Sequence, residues 1–335
     1  MRRRIILALV TALLIVAMVT GSLFYLTSQK PYTGKMESIT IGNVPNEVNS
    51  LIYIADDQQY FAANGLKVSY RNYSSGLAAV NGLINGEVDI ATAAEFVLVG
   101  KLLANASICT FGAISKALNE YVVARTDKGI TTIQDLKDKR IGVSLGTSTE
   151  FYLGRFLELN GMNLNQVNIV DVPPPETPNA LANGTVDAVI AWRPNINTIE
   201  NLLGDKIVMW PAQANQPYYV AVITTNNWTA THPELVIRFL NALIQAETFS
   251  LNNKDKAIAI VTGKLGYESS YTTTVWRDIQ FSVSIEQSEI LAMEDETRWL
   301  INNNLTNATA VPNFLNYVYV DGLQTVKPDS VNIIR

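Results

Sequence analysis

Two stretches of the chain share one pattern: LINGEVDIATAAE at residues 83–95 and LANGTVDAVIAWR at residues 181–193. Each begins with apolar residues typical of a helix end, continues through Asn-Gly and Val-Asp, and finishes in an apolar run. Gly after a helix, followed by a short apolar run, predicts a helix, a turn and a buried strand. The same α/β unit therefore occurs twice, about a hundred residues apart, which predicts two lobes of similar design facing each other across a cleft.

Strand and helix patterns alternate around both units, from residue 38 to about residue 225. Such alternation predicts α/β architecture with largely parallel sheets. Beyond residue 225 the apolar residues follow a helical period. The apolar segments 121–124 and 218–225 stand where the pattern changes, so they are candidates for the boundary between the lobes.

The first thirty residues differ from the remainder. Arg2, Arg3 and Arg4 precede an uncharged apolar run at residues 5–26. As a helix this run would be about 33 Å long, enough to cross a bilayer core of roughly 30 Å. The arginines would stay in the cytoplasm, which places the remainder outside. We expect residues 1–30 to be an uncleaved transmembrane anchor and residues 31–37 a polar tether. The alternative is a cleaved signal peptide, which would leave the protein secreted.

Charge and residue usage exclude several classes of function. Outside the first thirty residues the chain keeps 21 basic and 30 acidic residues, a net charge of −9 that argues against a nucleic-acid partner. Cys109 is the single cysteine and His232 the single histidine. A metal site or catalytic pair built from Cys and His is therefore not expected. The sequence predicts no cofactor and no metal, and it predicts that Cys109 is a small buried apolar residue.

Five segments carry a resemblance to a known family. They are LIYIADDQQYFAANGLKVSY (51–70), NGLINGEVDIATAAE (81–95), ITTIQDLKDKRIGVSLGTSTEFYLGRFLELNGM (130–162), LANGTVDAVIAWRPN (181–195) and THPELVIRFLNALIQA (231–246). In order and spacing the chain resembles the type II periplasmic binding proteins over residues 38–335. The resemblance is to the branch that serves nitrate, sulfonate, taurine and thiamine-pyrimidine-precursor importers.

The resemblance implies a two-lobed type II periplasmic-binding-protein fold with two crossover strands as its hinge. Lobe one would comprise 38–124 and 225–335, and lobe two 125–224. It implies a monomeric receptor on the outer face of the cytoplasmic membrane that closes on a small molecule and delivers it to the permease and ATPase of an ABC importer. A biosynthetic enzyme on the same fold and a ligand-sensing ectodomain are the alternatives. The pyrimidine-forming enzyme would need several histidines, and His232 stands alone.

Candidate ligand contacts in lobe two follow predicted strands, because ligands bind beyond the carboxyl ends of strands in open α/β sheets. Thr147, Ser148 and Thr149 open a helix and offer hydroxyls and free backbone N–H groups to an anion or acceptor. The alternative is an ordinary helix N-cap. Trp192 could stack on a flat ligand, and Arg193 could bind a carboxylate, sulfonate or phosphate. The family more often has Asp at the position of Arg193, and a solvated arginine is the alternative.

Candidate contacts in lobe one occupy equivalent places. Ser74, Ser75 and Gly76 form a strand-to-helix turn, with an N-cap as the alternative. Thr92 and Glu95 follow another strand, and Glu95 could recognise a nitrogen donor unless it is a solvated or N-capping carboxylate. The remaining candidates are Asn46, Glu47 and Asn49, for which loop polarity is the alternative, and Tyr218 or its neighbour Tyr219 at the second crossover.

The predicted ligand combines two kinds of group. The helix start at 147–149 and Arg193 favour an anion or acceptor, whereas Glu47 and Glu95 favour a nitrogen donor. Trp192 favours a flat or apolar body between them. A sulfonate of the taurine type or an aminopyrimidine therefore fits better than a plain inorganic anion such as nitrate.

Overall fold

Two β-sheets form the frame of the molecule, one in each half of a two-lobed α/β structure. The structure is a computed structural model and describes residues 32–334. The predicted anchor at 1–30 lies outside the described residues. Among the helices between residues 32 and 334, none combines the length and apolar character that a membrane crossing requires.

In chain order the strands are β1 (Glu37–Asn43), β2 (Leu66–Asn72), β3 (Ile90–Ala94), β4 (Ile108–Ala117), β5 (Glu120–Arg125), β6 (Arg140–Val143), β7 (Asn168–Asp171), β8 (Ala188–Trp192), β9 (Ile207–Pro211), β10 (Tyr218–Thr225) and β11 (Ile279–Ser284). Within the described residues the first sheet has six strands, in the order β11-β4-β10-β3-β1-β2, and the second has five, in the order β7-β6-β8-β5-β9.

Helices cover the faces of these sheets and fill the C-terminal part of the described chain. They are α1 (Ser50–Asp57), α2 (Tyr60–Ala63), α3 (Gly76–Ile84), α4 (Glu95–Leu103), α5 (Ser148–Leu159), α6 (Thr177–Ala182), α7 (Asn195–Leu203), α8 (Asn226–Thr231), α9 (Pro233–Asn252), α10 (Lys254–Leu265), α11 (Ser269–Val275), α12 (Gln287–Asn302) and α13 (Asp321–Val326).

Both sheets are mixed, so the prediction of largely parallel sheets is wrong. Strand β1 pairs in parallel with β2 and β3, and β6 pairs in parallel with β7 and β8. The pairs that β10 forms with β3 and β4, and β5 with β8 and β9, are antiparallel. An apolar run identifies a buried strand but says nothing about its direction, because direction depends on the connections.

The repeated sequence unit is a repeated structural unit. Asp89 precedes β3 and accepts a hydrogen bond from the backbone N–H of Thr40 on β1, at 2.8 Å from Oδ2. Asp187 precedes β8 and accepts the equivalent bond from the backbone N–H of Arg140 on β6, at 3.0 Å. In each lobe the carboxylate therefore fixes two neighbouring parallel strands in register, which explains why Val-Asp occurs in both stretches.

The predicted lobe boundaries lie within the two crossover strands, and each of these strands pairs within one sheet. The boundaries at 124 and 225 assign β5 to lobe one and most of β10 to lobe two. In the structure β5 pairs with β8 and β9 in the second sheet, and β10 pairs with β3 and β4 in the first. The chain therefore crosses between the sheets at residues 118–119 and 212–217. Apolar composition identifies these strands, but their pairing partners are distant in sequence.

The side chain of Gln213 joins the two crossover segments. Its Oε1 accepts from the backbone N–H of Glu120 at 2.9 Å, and its Nε2 donates to the carbonyls of Ala117 and Gln216 at 2.9 and 3.2 Å. Gln213 is 4% exposed, so water competes little for these bonds. We call this arrangement the Gln213 clasp.

Aromatic side chains from both lobes pack against one another. Trp299 on α12 meets Phe151 on α5 edge-to-face, with ring centroids 5.5 Å apart, and Phe96 on α4 at 6.3 Å. A Cβ added at Gly154 would lie 2.2 Å from Cζ2 of Trp299, so the indole ring rests directly on helix α5. All three rings are buried. This inter-lobe aromatic cluster, formed by Phe96, Phe151 and Trp299, makes one continuous core across the two lobes.

Candidate ligand-binding cleft

A cleft opens between the lobes where the carboxyl ends of β1, β3, β6 and β8 approach one another. It includes about 500 Å³ of space between atoms, part of which is open solvent. Eight of the predicted contact residues line it: Asn46, Asn49, Gly76, Thr92, Thr147, Ser148, Trp192 and Tyr218. The other predicted contacts, Glu47, Ser74, Ser75, Glu95, Thr149 and Arg193, are not among its lining residues.

The loop after β1 places two amides in the cleft and a carboxyl behind them. Asn49 donates through Nδ2 to the carbonyl of Val44 at 2.9 Å and to Oδ1 of Asn46 at 3.2 Å. These two acceptors fix the amide orientation and leave the buried Oδ1 of Asn49 without a partner. Glu47 is fully buried, and its Oε1 accepts from the hydroxyl of Tyr271 at 3.4 Å. Burial raises the pKa of Glu47 to about 7.

In the turn after β2, the residue that lines the cleft is a glycine, Gly76. Ser75 caps α3, because its hydroxyl accepts from the backbone N–H of Ala78 at 3.1 Å, and Ser74 is exposed. The N-cap alternative is therefore the observed role of Ser75. Gly76 lines the cleft, and a Cβ there would lie 2.8 Å from Cβ and 2.9 Å from Cα of Ala93 on β3. Only glycine fits at this distance.

Gly76→Ala is expected to destabilise the protein by about 1–3 kcal/mol, because the added methyl would meet backbone that cannot rotate away. Denaturant unfolding of both proteins measures the difference. Gly100→Ala on α4 is the control. It lies on an exposed part of a helix, with nothing within 4 Å of the added Cβ, so it should be neutral or stabilising by about 0.5–1 kcal/mol. If both variants changed the free energy of unfolding by the same amount, the close packing of Gly76 on Ala93 would be contradicted.

Thr92 on β3 and Glu95 at the start of α4 are the two polar predicted contacts in this part of lobe one. Thr92 is buried, lines the cleft and leaves its Oγ1 without a partner. Glu95 is fully buried below the cleft, where its Oε2 accepts from the backbone N–H of Tyr219 at 2.9 Å. Burial raises the pKa of Glu95 well above its ordinary value. Its observed contact is with protein backbone rather than with the cleft.

Helix α5 begins at the cleft in lobe two. Thr147 and Ser148 line the cleft, whereas Thr149 is fully buried. The hydroxyl of Thr147 does not cap the helix but donates to the carbonyl of Ser144 at 2.7 Å, so the predicted N-cap alternative is not observed for this side chain. Ser148 donates to Oε1 of Glu120. The helix start thus presents backbone N–H groups and a hydroxyl to the cleft.

Glu120 is the main cleft residue that the sequence reasoning missed. It is 2% exposed at the start of β5, lines the cleft, and leaves its Oε2 without a partner. Burial raises its pKa to about 8, although the hydrogen bond from Ser148 acts in the opposite direction. A glutamate before an apolar strand resembles a solvated strand end, and only the pairing of β5 with β8 and β9 buries it. The other missed lining residues are Val44, Val48, Ala93, Ala94, Val97 and Val220.

The end of β8 carries an aromatic side chain into the cleft and a cation beside it. Trp192 is half-buried and lines the cleft. The guanidinium of Arg193 donates to Oδ1 of Asn197 and lies 3.7 Å from Oε2 of Glu200 on the same helix, α7. Across the cleft, Tyr218 donates its hydroxyl to Oδ1 of Asn119 at 3.0 Å. Contact of Arg193 with an anion stays a prediction, and two side chains of α7 compete for its charge.

Comparison with known families accounts for this architecture. The sequence profile described as "NMT1/THI5 like" matches residues 46–257, which is more than half of the chain. The chain belongs to the NMT1/THI5-like family. The match includes the loop at 46–49, both repeated units and the start of α5, so it covers nearly all of the cleft described above.

Relatives of known name are similar to this chain at low identity. A "Putative binding protein" of Brucella abortus (strain 2308) is 27% identical over 217 residues, 63% of this chain and 66% of its own length. The taurine-binding periplasmic protein of Escherichia coli (strain K12) is 27% identical over 202 residues, 59% of this chain and 62% of its own length. The chain thus matches slightly less than two thirds of the length of each.

Solved structures show the same two-lobed fold. The alkanesulfonate-binding protein SsuA of Xanthomonas axonopodis pv. citri, bound to MOPS, superposes with a TM-score of 0.73 at 16% identity, over 86% of this chain and all of that one. The desulfurization enzyme DSZB superposes with a TM-score of 0.65 at 16% identity, over 87% of this chain and 99% of that one. The predicted periplasmic-binding-protein fold is therefore confirmed, and this fold also occurs in an enzyme.

Reactive and metal-binding side chains do not gather at the cleft within residues 32–334. No group of three or more His, Cys, Asp or Glu side chains there could hold a metal ion. Cys109 lies on β4, 4% exposed and 3.9 Å from the hydroxyl of Thr229, and burial raises its pKa to about 11. His232 lies outside the cleft, stacked on Trp228.

Proposed function

We propose that the protein is an extracytoplasmic solute-binding receptor that delivers a small organic molecule to an ABC importer by closing its cleft. One observation carries the proposal: polar groups of both sheets converge on one cleft between lobes that are joined at two short crossovers. Such a construction lets the lobes close on a ligand by a hinge. The names of the relatives, a taurine-binding protein among them, support the same role.

The ligand that we propose is a sulfonate of the taurine type or an aminopyrimidine. Its contacts would come from the cleft residues of lobe one (Asn49 and Thr92) and of lobe two (Ser148 and Trp192). Residues 1–30 would anchor the receptor to the outer face of the membrane, since three arginines precede the apolar run. The receptor would act as a monomer with the permease and ATPase as its partners.

An enzyme is the second candidate, because DSZB shares the fold. The side chains that line the cleft weigh against it. Within the described chain they include no Cys, His or Lys that could serve as nucleophile or base, and the sole carboxyl there is that of Glu120. We therefore expect the bound molecule to leave the cleft chemically unchanged.

Reversible binding is the test of the receptor function. The full-length protein should bind one molecule per chain from a panel of sulfonates, amino acids and pyrimidines, and the ligand should raise the melting temperature because it binds only the folded state. Trp192→Ala should weaken binding about 3- to 10-fold, the usual contribution of one stacked ring. Calorimetric titration measures affinity and stoichiometry, and mass spectrometry identifies the ligand that is recovered.

Trp228→Ala is the matched control, since Trp228 stacks on His232 away from the cleft. It should leave the affinity unchanged. If the amount of ligand that is chemically converted rose in proportion to the amount of protein, the protein would be an enzyme and the proposed receptor function would be wrong. Recovery of the full-length chain in the cytosolic fraction would exclude the proposed location.

A further inference from the structure

Three buried oxygen atoms in the cleft have no hydrogen-bond partner among the described residues: Oδ1 of Asn49, Oγ1 of Thr92 and Oε2 of Glu120. The residues that carry them are 1–2% exposed. The amide oxygen of Asn49 is an acceptor in the observed orientation. A cationic N–H donor beside Glu120 would favour the ionised carboxylate, in which Oε2 is an acceptor. Buried polar atoms of native proteins are normally satisfied, so these atoms indicate the kind of group that completes them.

Positive side chains are absent from the described lining of the cleft. No Arg, Lys or His belongs to it. Arg193, which does not line the cleft, engages Asn197 and Glu200 through Nη1 and leaves its buried Nε without a partner. A nitrogen-free sulfonate would place a full negative charge beside the Glu120 carboxyl, with no cation among the described lining residues to offset it. The same cleft would accept a group that donates hydrogen bonds.

Resting on the proposed receptor function, we propose that Glu120 and Asn49 form an amino-group subsite, so that the natural ligand carries an –NH₂ or –NH₃⁺ group. The two acceptors belong to opposite lobes, Asn49 to the loop after β1 and Glu120 to the start of β5. One amino group has two or three N–H donors and can bond to both at once. Its binding would therefore hold the lobes together as well as select the ligand.

Ser148 and Thr92 complete the surroundings of this subsite. Ser148 donates to Oε1 of Glu120, which leaves Oε2 as the oxygen that faces a ligand. Thr92 supplies a hydroxyl that can accept a further N–H. The first turn of α5 remains available for the acceptor end of the same ligand. A site built to bond an N–H group rejects an analogue that lacks it, because its own buried acceptors are then left unpaired.

The test compares ligand pairs that differ only in the amino group. Taurine is paired with 1-propanesulfonate, and 4-aminopyrimidine with 4-methylpyrimidine, so a methyl replaces the amino group in each pair. Calorimetric titration of the full-length protein should give at least about a hundredfold preference for the amino member of one pair. Glu120→Gln should reduce that preference at least tenfold. The two pairs distinguish an aliphatic ammonium from an aromatic amine.

Glu289→Gln is the matched control, because Glu289 is also a buried glutamate with an unpartnered oxygen but lies on α12 outside the cleft. It should keep the wild-type preference within about twofold. Melting of each ligand-free variant shows that it is folded. Equal binding of methyl and amino members, a preference that survives Glu120→Gln, or no binding of either amino compound would overturn the subsite. Reversible binding of a nitrogen-free solute would do so while leaving the receptor function intact.

Discussion

Trp299→Ala is expected to lower the free energy of unfolding by about 3–5 kcal/mol, the usual cost of deleting a buried aromatic side chain. The ring packs on Phe96 and Phe151 and rests on Gly154, so its loss would leave a cavity between the lobes. Urea unfolding, followed by far-UV circular dichroism, measures the change. Trp228→Ala, at a half-buried position on α8, should cost clearly less.

A second substitution tests whether Trp299 stabilises the protein through its contact with Gly154 or only through the apolar surface that it buries. Gly154→Ala should destabilise the wild type by about 1–3 kcal/mol, because the new methyl would lie 2.2 Å from the indole ring. In the Trp299→Ala background the same change should stabilise by about 0.5–1 kcal/mol, since Ala is the better helix former and the obstacle is gone. An effect of the same sign in both backgrounds would show that the two residues do not touch.

Stability should fall as the pH rises from about 5 to about 8. Burial raises the pKa of Glu289 to about 8, so at neutral pH the folded protein holds a proton that the unfolded chain releases. The contribution of such a group to stability is complete below about pH 4.5, its ordinary pKa, and is lost as the pH rises to about 8. At 1.36 kcal/mol per pH unit, the loss amounts to at most about 5 kcal/mol.

Glu289→Gln isolates this group, since the amide keeps the shape and cannot ionise. The variant should be more stable than the wild type at pH 8 and should lose that advantage at pH 5, as urea titrations at each pH would show. The charged or titratable groups around Glu289 are Glu286 and Lys116, with Glu95, Glu296 and Tyr219 also within electrostatic range. Glu234→Gln, at an exposed ion pair on α9, is the control. An advantage that is equal at both pH values would mean that Glu289 does not titrate in this range.

The sequence predicted the two-lobed α/β fold because the repeated local signals mark the same elements in both lobes. The Asn-Gly and Val-Asp pairs mark helix ends and strand starts in both lobes, and Asp89 and Asp187 explain the repeat with one hydrogen bond each. The sequence could not assign β5 and β10 to their sheets, because strand pairing joins residues far apart in the chain.

The sequence predicted the cleft residues that follow the ends of strands, but it could not show which residues the fold buries. Thr92 and Ser148, which were predicted because ligands bind beyond strand ends, line the cleft. Glu95 also follows a strand, but it is fully buried and is not among the lining residues. Glu120 was missed because its sequence context is typical of an exposed residue, and only the neighbouring strands bury it.

The Gln213 clasp limits how the two lobes can move relative to each other. Two bodies joined by one flexible strand can twist, tilt and slide, whereas two bodies joined at two adjacent points retain essentially one rotation. Gln213 ties those two points to one another through Glu120 and Ala117. In the proposed receptor, opening and closing would then follow a single path, and the acceptors of the two lobes would return to the same mutual positions each time the cleft closes. Because the backbone N–H of Glu120 belongs to the clasp, one of the proposed ligand contacts lies next to the crossovers, where two hinged lobes would move least relative to each other.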